Sequence, residues 1–378
     1  MSEQISQNKK VHFVDYAGWY QEEREELEPK IIDVIKRGEL ILRQEVRSFE
    51  NNLAKYVGTK YAVGTSSGTD AIRLALIASG IKPGDEVITS THTFAATVAA
   101  ISQAGGVPVL ADIKQEDYLI DVNSVKCLIT DKTKFIIPVS LNGRVADMEE
   151  LEILADEQGI TIIEDSAQAL GAYRNSRSSG SFGLAGCFSF FPAKTLGSLG
   201  DAGAVTTKSK SLYEKIISLR NHGRDTNGDI PFWGFNNRLD NLQAVILEYR
   251  LSRIPLYLEK RRNLASLYQS GLKHIPQVTC PPNDRNEGMI NLDVFQNYEI
   301  CVDDRTGLRK YLDEHGIETM VPWGGKPIHK LSAFNGKKSH LEKADYVFGR
   351  NMYLPMYVTL KVSSINYIVS VISSYYGY

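Results

Sequence analysis

Strand-like and helix-like segments alternate through the first half of this chain, and this pattern constrains the fold more than any other feature. The clearest unit has an apolar run at residues 135–141, a helical pattern at 147–158 and a second apolar run at 159–163. Asp147 is expected to be the helix N-cap, with Glu150 completing a capping box. Strands joined by such a helix run parallel, so the unit predicts an α/β fold with a mostly parallel sheet between helices.

The length of the chain predicts two domains. Its 378 residues exceed one average domain. A long helical stretch from about Leu239 to Ser270, interrupted at Pro255, is expected to connect them. We therefore expect a large domain over residues 1–250, with the N-terminal segment, and a smaller C-terminal α/β domain over residues 251–378.

An acid and a lysine each follow a strand-like run. Asp165 ends a buried, apolar run, and this places it at the carboxyl edge of the sheet, where α/β proteins build their sites. Lys194 follows an aromatic-rich run, and a lysine in an apolar setting loses its charge easily, as a Schiff base requires. Either residue alone fits an ordinary strand end or loop. Together they predict a pyridoxal 5′-phosphate (PLP) site, with Asp165 facing the pyridine nitrogen.

Two further features support a cofactor site. A small-residue turn at 64–70 opens directly into a helical pattern, and free backbone N–H groups at a helix start can cradle a phosphate. Phe94 follows another strand-like run. Its ring could lie flat on the pyridine ring, or it could belong to the core.

Ordered blocks along nearly the whole chain resemble the DegT/StrS family of PLP-dependent nucleotide-sugar aminotransferases. This family is a branch of the fold type I aspartate aminotransferase superfamily. The most specific blocks are Glu-Asp-Ser-Ala-Gln-Ala-Leu-Gly at 164–171 and Phe-Ser-Phe-Phe-Pro-Ala-Lys at 188–194. Others lie at 38–50, 61–63, 67–72, 84–87, 93–97, 221–224 and 234–244.

The resemblance implies a role for each matching residue. Lys194 would form the Schiff base, Asp165 would pair with the pyridinium nitrogen, and Gln168 would bond the ring hydroxyl. The phosphate would be held by Gly68, Thr69 and Ser189, with Phe94 stacked on the ring. Asn236 would reach the phosphate from a partner subunit, with Arg238 near the substrate carboxylate or sugar. The resemblance thus implies a homodimer with shared active sites.

Two loops depart from the family pattern near the expected position of the sugar nucleotide. In residues 140–144, Asn142 and Arg144 imply a missing aromatic contact and an added cation. In residues 321–329, the resemblance implies substrate contacts at Trp323, Lys326 and His329. Trp323 could stack on a base or sugar and Lys326 could meet a diphosphate; an exposed turn with a solvated lysine is the alternative.

The activity that the resemblance implies is transfer of an amino group from L-glutamate to a nucleotide-linked keto-deoxysugar. The 3- or 4-amino product would serve surface polysaccharide, glycan or secondary-metabolite biosynthesis. A sugar dehydratase of the same family is an alternative, but it has a histidine in place of the lysine. A non-catalytic PLP-binding regulator is another. The nucleotide, the aminated carbon and the choice between glutamate and glutamine stay open.

Composition excludes several classes of protein. The formal net charge of -2 gives no reason to expect nucleic-acid or membrane binding, and no apolar run is long enough to span a bilayer. Residues 1–10 lack the apolar core of a secretory signal. The four cysteines are widely separated, which favours reduced thiols in the cytoplasm and gives no zinc motif, so no metal is expected. Cys187 lies close to Lys194 in the chain, so a catalytic thiol is an alternative, but its neighbours favour a small buried apolar residue.

Overall fold

A computed structural model describes residues 10–283, 291–338 and 340–378. The interpretation of the first ten residues falls almost wholly outside this part of the chain. The helices are α1 (Tyr16–Arg37), α2 (Gln44–Val57), α3 (Gly68–Ala78), α4 (Ala95–Gln103), α5 (Val122–Leu128), α6 (Met148–Gln158), α7 (Lys210–Arg220), α8 (Asn241–Leu272), α9 (Arg305–Glu314), α10 (Glu342–Phe348) and α11 (Val362–Tyr376).

The strands are β1 (Tyr61–Thr65), β2 (Glu86–Ser90), β3 (Val107–Ala111), β4 (Thr133–Ile137), β5 (Thr161–Asp165), β6 (Tyr173–Arg174), β7 (Arg177–Ser178), β8 (Ala185–Ser189), β9 (Gly203–Thr207), β10 (Val278–Thr279), β11 (Asn291–Leu292), β12 (Tyr298–Val302), β13 (Lys337–Lys338) and β14 (Asn351–Leu354). The largest sheet has the order β1-β9-β8-β5-β4-β2-β3-β13. Its neighbours pair in parallel except on the two sides of β9, where β1 and β8 are antiparallel to it. The predicted α/β class with a mostly parallel sheet is confirmed.

Apolar side chains cover both faces of this sheet. On β4, Ile136 joins one core cluster, whereas Phe135 and Ile137 join the cluster on the opposite face. On β2, Ile88 and Val87 divide in the same way. Because successive side chains of a strand point to opposite faces, strands buried on both sides need the continuous apolar runs seen in the sequence.

The predicted capping box on α6 is wrong, although Asp147 does occupy the N-cap position. The Asp147 side chain makes no capping hydrogen bond. Its carboxylate oxygens instead pair with Lys114 Nζ at 2.6 Å and with the Arg174 guanidinium at 2.9 Å. Glu150 pairs with Lys126 at 3.2 Å. The carboxylates of Asp147 and Glu150 therefore form ion pairs with cations from distant segments and not the local capping hydrogen bonds that the sequence pattern predicted.

Helix α8 is continuous through Pro255, so the predicted interruption there is also wrong. Proline removes one hydrogen bond from a helix interior. Leu251, Ile254 and Leu258 flank it and are buried, and this burial offsets the lost bond. The helix runs through residue 250, so the division into domains at that position stays a prediction.

A second core lies towards the C-terminus. It gathers Leu264 and Tyr268 from the end of α8 with apolar residues of β12, β14, α9 and α11, and Val11 also joins it. The small antiparallel sheet has the order β10-β12-β14, and β11 pairs with β6, which pairs with β7.

Two findings concern the membrane and the cysteines. Across the three described ranges, none of the helices combines the length and apolar character needed to cross a bilayer. All four cysteines are free thiols. Cys187 is buried, as predicted, on β8 in register with Asp165 on β5.

Candidate active site

The predicted acid and lysine meet at the carboxyl edge of the large sheet. Asp165 is the last residue of β5 and is 4% exposed. Lys194 lies in the turn after the neighbouring strand β8, where its backbone N–H donates to the Phe191 carbonyl at 2.8 Å. The two strands are parallel neighbours, so both residues belong to one site.

Burial shifts the pKa values of Lys194 and Asp165 in opposite directions. It lowers the pKa of Lys194 to about 8, and the negative charge of Asp165 opposes this shift. Burial raises the pKa of Asp165. This rise is opposed by hydrogen bonds from Thr97 and Ala167 and by the positive charge of Lys194. A lysine near this pKa exchanges a proton readily, and a partnered buried carboxylate can hold a cation such as a protonated pyridine.

Thr97 is a site residue that the sequence did not reveal. Its hydroxyl donates to Asp165 Oδ2 at 2.7 Å, while the Ala167 N–H donates to Oδ1 at 3.1 Å. Since the Thr97 proton faces the carboxylate, the Thr93 hydroxyl at 2.7 Å is the donor in the bond between the two threonines. The available signal was position: Thr97 lies on the first turn of α4, one turn after Phe94.

Gln168 is held with its amide N–H groups available. Its Oε1 accepts from the Asn142 backbone N–H at 2.7 Å and from Asn297 Nδ2 at 3.3 Å. Both bonds go to the oxygen, and among the described residues no acceptor engages Nε2, so its hydrogens are left to donate. This orientation suits the role predicted for Gln168, a bond to the cofactor ring hydroxyl.

The start of α3 forms an anion cradle next to the end of β8. Ser67 is the N-cap and accepts from the Asp70 N–H at 3.1 Å, whereas within the described residues the Gly68 and Thr69 N–H groups have no protein acceptor. A Cβ on Gly68 would lie 2.7 Å from Ser189 Cβ, so only glycine permits this approach. Free N–H groups, the helix dipole and the Ser189 hydroxyl fit the phosphate of PLP.

Phe94 is not a core residue. It is the N-cap of α4 and its side chain is 57% exposed. A large aromatic ring in this position has a free face, which agrees with stacking on a flat ligand rather than with the core alternative. The residues at this edge of the sheet thus suit three parts of PLP: Phe94 suits its ring, Asp165 suits its pyridine nitrogen, and the start of α3 suits its phosphate.

Asn236 and Arg238 lie on the connection between α7 and α8. Asn236 is exposed and its backbone bridges to that of Asn221. Arg238 bridges by its backbone to Thr65 at the end of β1, and its guanidinium donates to Asn221 Oδ1 at 3.4 Å. Of the two predicted residues, Asn236 is therefore the exposed one, whereas Arg238 is half-buried beside Asn221.

The predicted sugar-binding residues have different surroundings. The Trp323 ring lies 5.1 Å from that of His92 and 6.0 Å from that of Phe348, so it is half-buried in an aromatic cluster. His329 Nδ1 is 2.8 Å from Thr91 Oγ1 and Nε2 is 3.0 Å from Asp345 Oδ1, so both ring nitrogens are engaged. Of these residues, His329 is the least available to a substrate.

The cations of the two divergent loops also differ. Lys326 is exposed and has no ion pair within the part of the chain that the structure describes. Arg144 pairs with Asp293 at 2.7 Å. The extra cation expected from Arg144 is therefore already neutralised by a carboxylate, whereas the charge of Lys326 faces solvent.

Comparison with known proteins gives a match over most of the chain. The model of the DegT/DnrJ/EryC1/StrS aminotransferase family matches residues 21–373. A pleiotropic regulatory protein of Geobacillus stearothermophilus is 36% identical over 94% of this chain and 96% of its own. A dTDP-3-amino-3,4,6-trideoxy-alpha-D-glucose transaminase of Streptomyces venezuelae is 37% identical over 88% of this chain and 86% of its own.

Solved structures agree with these matches. S. venezuelae DesV, solved in complex with a ketimine intermediate, superposes with a TM-score of 0.94 at 34% identity, covering 98% of this chain and 100% of that chain. The ntda protein of Bacillus subtilis, solved with bound cofactor PMP, superposes with a TM-score of 0.89 at 28% identity, covering 100% of this chain and 87% of that chain.

Proposed function

The chain belongs to the DegT/DnrJ/EryC1/StrS aminotransferase family, and from this premise we propose that it transfers an amino group from L-glutamate to carbon 3 of a nucleotide-linked keto-deoxysugar. Family membership confirms the prediction of a PLP-dependent aminotransferase. The observation that carries the proposal is the buried Asp165 beside Lys194, next to the glycine-lined start of α3. The product would enter polysaccharide, glycan or secondary-metabolite biosynthesis.

Relatives support carbon 3 as the aminated position. Relatives at 34–37% identity act, by their names, on 3-amino, 3-dehydro or 3-oxo sugars linked to dTDP or UDP. Glutamate is the default donor of the family. The four free thiols support placing the reaction in the cytoplasm.

Each residue of the site has a task that its geometry suits. PLP, when bound, supplies an electron sink for the carbon that loses its proton. Asp165, fixed by Thr97 and Ala167, holds a positive charge at the ring nitrogen. Lys194, with a pKa of about 8, would carry a proton between the substrate carbon and the cofactor carbon that lies on the other side of the transferred nitrogen. The N–H groups of Gly68 and Thr69 anchor the phosphate.

A homodimer with shared sites is part of this proposal. Phe191 and Leu199 flank the lysine turn and are each 48% exposed, and Trp233, close to Asn236 in the chain, is 89% exposed. Apolar side chains exposed around a site are typical of a surface that a second protein covers. A second copy placed there would bring Asn236 and Arg238 towards its partner's cofactor.

The regulator alternative gains support from the names of two relatives, a pleiotropic regulatory protein and a sensory transduction protein of erythromycin biosynthesis. A pure regulator needs no proton carrier, yet this chain has Lys194 with a lowered pKa beside a charged partner. The dehydratase alternative is disfavoured because a lysine, not a histidine, follows β8.

The proposal is tested with a panel of dTDP-, UDP- and GDP-linked 3-keto and 4-keto sugars, each incubated with the PLP-loaded protein and either glutamate or glutamine. Product mass and the position of the new amine are measured. We expect a 3-amino product with glutamate and none with Lys194→Ala. A 4-amino product would contradict the position, and a PLP-loaded protein that aminates none of the sugars would favour the regulator.

A further inference from the structure

The side chain of Gln296 forms hydrogen bonds with the residues on both sides of Lys194. Gln296 Oε1 accepts from the Thr195 backbone N–H at 2.6 Å and from the Thr195 hydroxyl at 2.7 Å. Its Nε2 donates to the Ala193 carbonyl at 2.7 Å. The amide therefore bonds the peptide groups immediately before and after the lysine. Gln296 lies about a hundred residues further along the chain and is 5% exposed.

The backbone that carries Gln296 is itself firmly held. The Gln296 N–H donates to the Asn142 carbonyl at 2.9 Å. The buried guanidinium of Arg261 donates to the Phe295 and Gln296 carbonyls at 3.0 Å and 3.2 Å. Phe295 has a φ of 49°, a conformation that a non-glycine residue adopts only when its surroundings impose it.

The segment that carries Gln296 is also bonded to Gln168, the residue predicted to bond the ring hydroxyl of the cofactor. Asn142, which accepts from the Gln296 N–H, donates its own N–H to Gln168 Oε1 at 2.7 Å. Asn297 Nδ2 bonds the same oxygen at 3.3 Å. A short stretch just before β12 is thus bonded both to the turn that carries Lys194 and to Gln168.

We propose that Gln296 is a positioning residue for Lys194: it fixes the peptide groups on both sides of the lysine and so directs the amine towards the cofactor and Asp165. An amide suits this task because it accepts at one end and donates at the other. A turn freed at both flanking peptides would let the long lysine side chain sample other directions. The inference rests on the proposed function only in taking Lys194 as the residue that bonds the cofactor.

The test measures the covalent bond between Lys194 and PLP, without any sugar substrate. Cofactor-free protein is mixed with PLP, borohydride is added at successive times, and the labelled Lys194 peptide is quantified by mass. Gln296→Leu keeps the volume but loses all three bonds, and we expect linkage roughly 10- to 100-fold slower. We also expect a shifted pH midpoint in the visible absorbance of bound PLP. Gln269→Glu, a change at a half-buried glutamine of α8, should leave both unchanged.

Each outcome decides the question. Should Gln296→Leu show no cooperative unfolding transition, Gln296→Glu replaces it. Its carboxylate can still accept from Thr195 but places a negatively charged acceptor against the Ala193 carbonyl, so slower linkage is again expected. A folded variant with the wild-type linkage rate and absorbance midpoint would overturn the positioning role. Wild-type protein that forms no link at Lys194 would instead overturn the proposed function, whatever the variants do.

Discussion

At the scale of single residues, the charge of Asp165 depends on a hydroxyl from a different strand-helix unit. Thr97→Val removes the donor to Asp165 Oδ2 and keeps the shape of the side chain. A hydrogen bond to a charged group contributes about 1.5–3 kcal/mol, so we expect the pKa of Asp165 to rise further and kcat to fall about 10- to 100-fold. Thr97→Ser keeps the hydroxyl and should stay close to wild type. A wild-type kcat in Thr97→Val would show that the bond has no catalytic consequence.

Gly68 permits a contact that no other residue allows. In Gly68→Ala the new methyl would lie 2.7 Å from Ser189 Cβ, so the start of α3 must move away from β8. We expect PLP affinity to fall by at least about tenfold, measured by equilibrium dialysis, because displaced N–H groups no longer converge on the phosphate. Gly349→Ala is the control, since its methyl would meet no atom closer than 3.4 Å. Equal affinity in both variants would contradict the cradle.

Residue types at strand ends could be predicted from the sequence, and residues joined by long-range contacts could not. Asp165 and Lys194 were found because local apolar runs end at them. The Thr97–Asp165 bond spans 68 residues and the Gln296–Thr195 bond spans 101. Gln296 has no local pattern that marks it, and Thr97 has only its position one turn after Phe94, because the partner of each is set only when the sheet assembles.

At the scale of elements, β12 carries a buried acid. Glu299 is fully buried and accepts from Asn351 Nδ2 at 2.6 Å and from the Asn142 side chain, with His92 Nε2 at 3.5 Å. Burial raises the pKa of Glu299 to about 7. The folded state therefore binds this proton more tightly than the unfolded state, and the resulting stability is present at low pH and is lost as pH rises towards 7.

Unfolding by urea at pH 5, 6, 7 and 8 tests this linkage. We expect Glu299 to cost wild type on the order of 3 kcal/mol of unfolding free energy between the acid and alkaline ends of its titration. Glu299→Gln resembles the protonated acid and should lack this part of the slope. Parallel pH profiles for the two proteins would mean that Glu299 titrates alike in the folded and unfolded states.

Two elements show where local rules were overridden. Asp147 matches a capping sequence, but Lys114 and Arg174 neutralise it from other segments. Pro255 matches a helix interruption, but α8 packs along both cores and continues through it. Tertiary contacts outweighed a local signal in each case.

At the scale of the whole molecule, shared active sites predict complementation between inactive subunits. Lys194→Ala and an Asn236→Ala/Arg238→Ala double variant should each be inactive alone. If Asn236 and Arg238 act across the interface, a mixed dimer has one site with both defects and one with none, so activity should partly return. Subunit exchange is followed with differently tagged chains. Mixed dimers that form yet stay inactive, or an active monomer at high dilution, would contradict shared sites.

The α/β architecture followed from the alternating pattern, whereas the edges of the sheet did not. The antiparallel pairing of β9 with β1 and the addition of β13 beside β3 join segments far apart in sequence. Short strands such as β13, with two residues, carry no period that a sequence could display. The fold class can be predicted because its signal repeats locally along the chain. Strand pairing at the edges of the sheet depends on contacts between distant segments, so it cannot be predicted in this way.

The central claim is that Lys194 and its surroundings move nitrogen from an amino acid to a nucleotide-linked sugar. The most direct measurement is transfer of label from ¹⁵N-glutamate to a dTDP- or UDP-linked 3-ketosugar by the PLP-loaded protein, read by mass and NMR. We predict ¹⁵N at carbon 3 of the sugar and a loss of at least about a thousandfold in Lys194→Ala. PLP-loaded wild type that transfers no ¹⁵N to any of these sugars, or Lys194→Ala that transfers it at the wild-type rate, would contradict the claim.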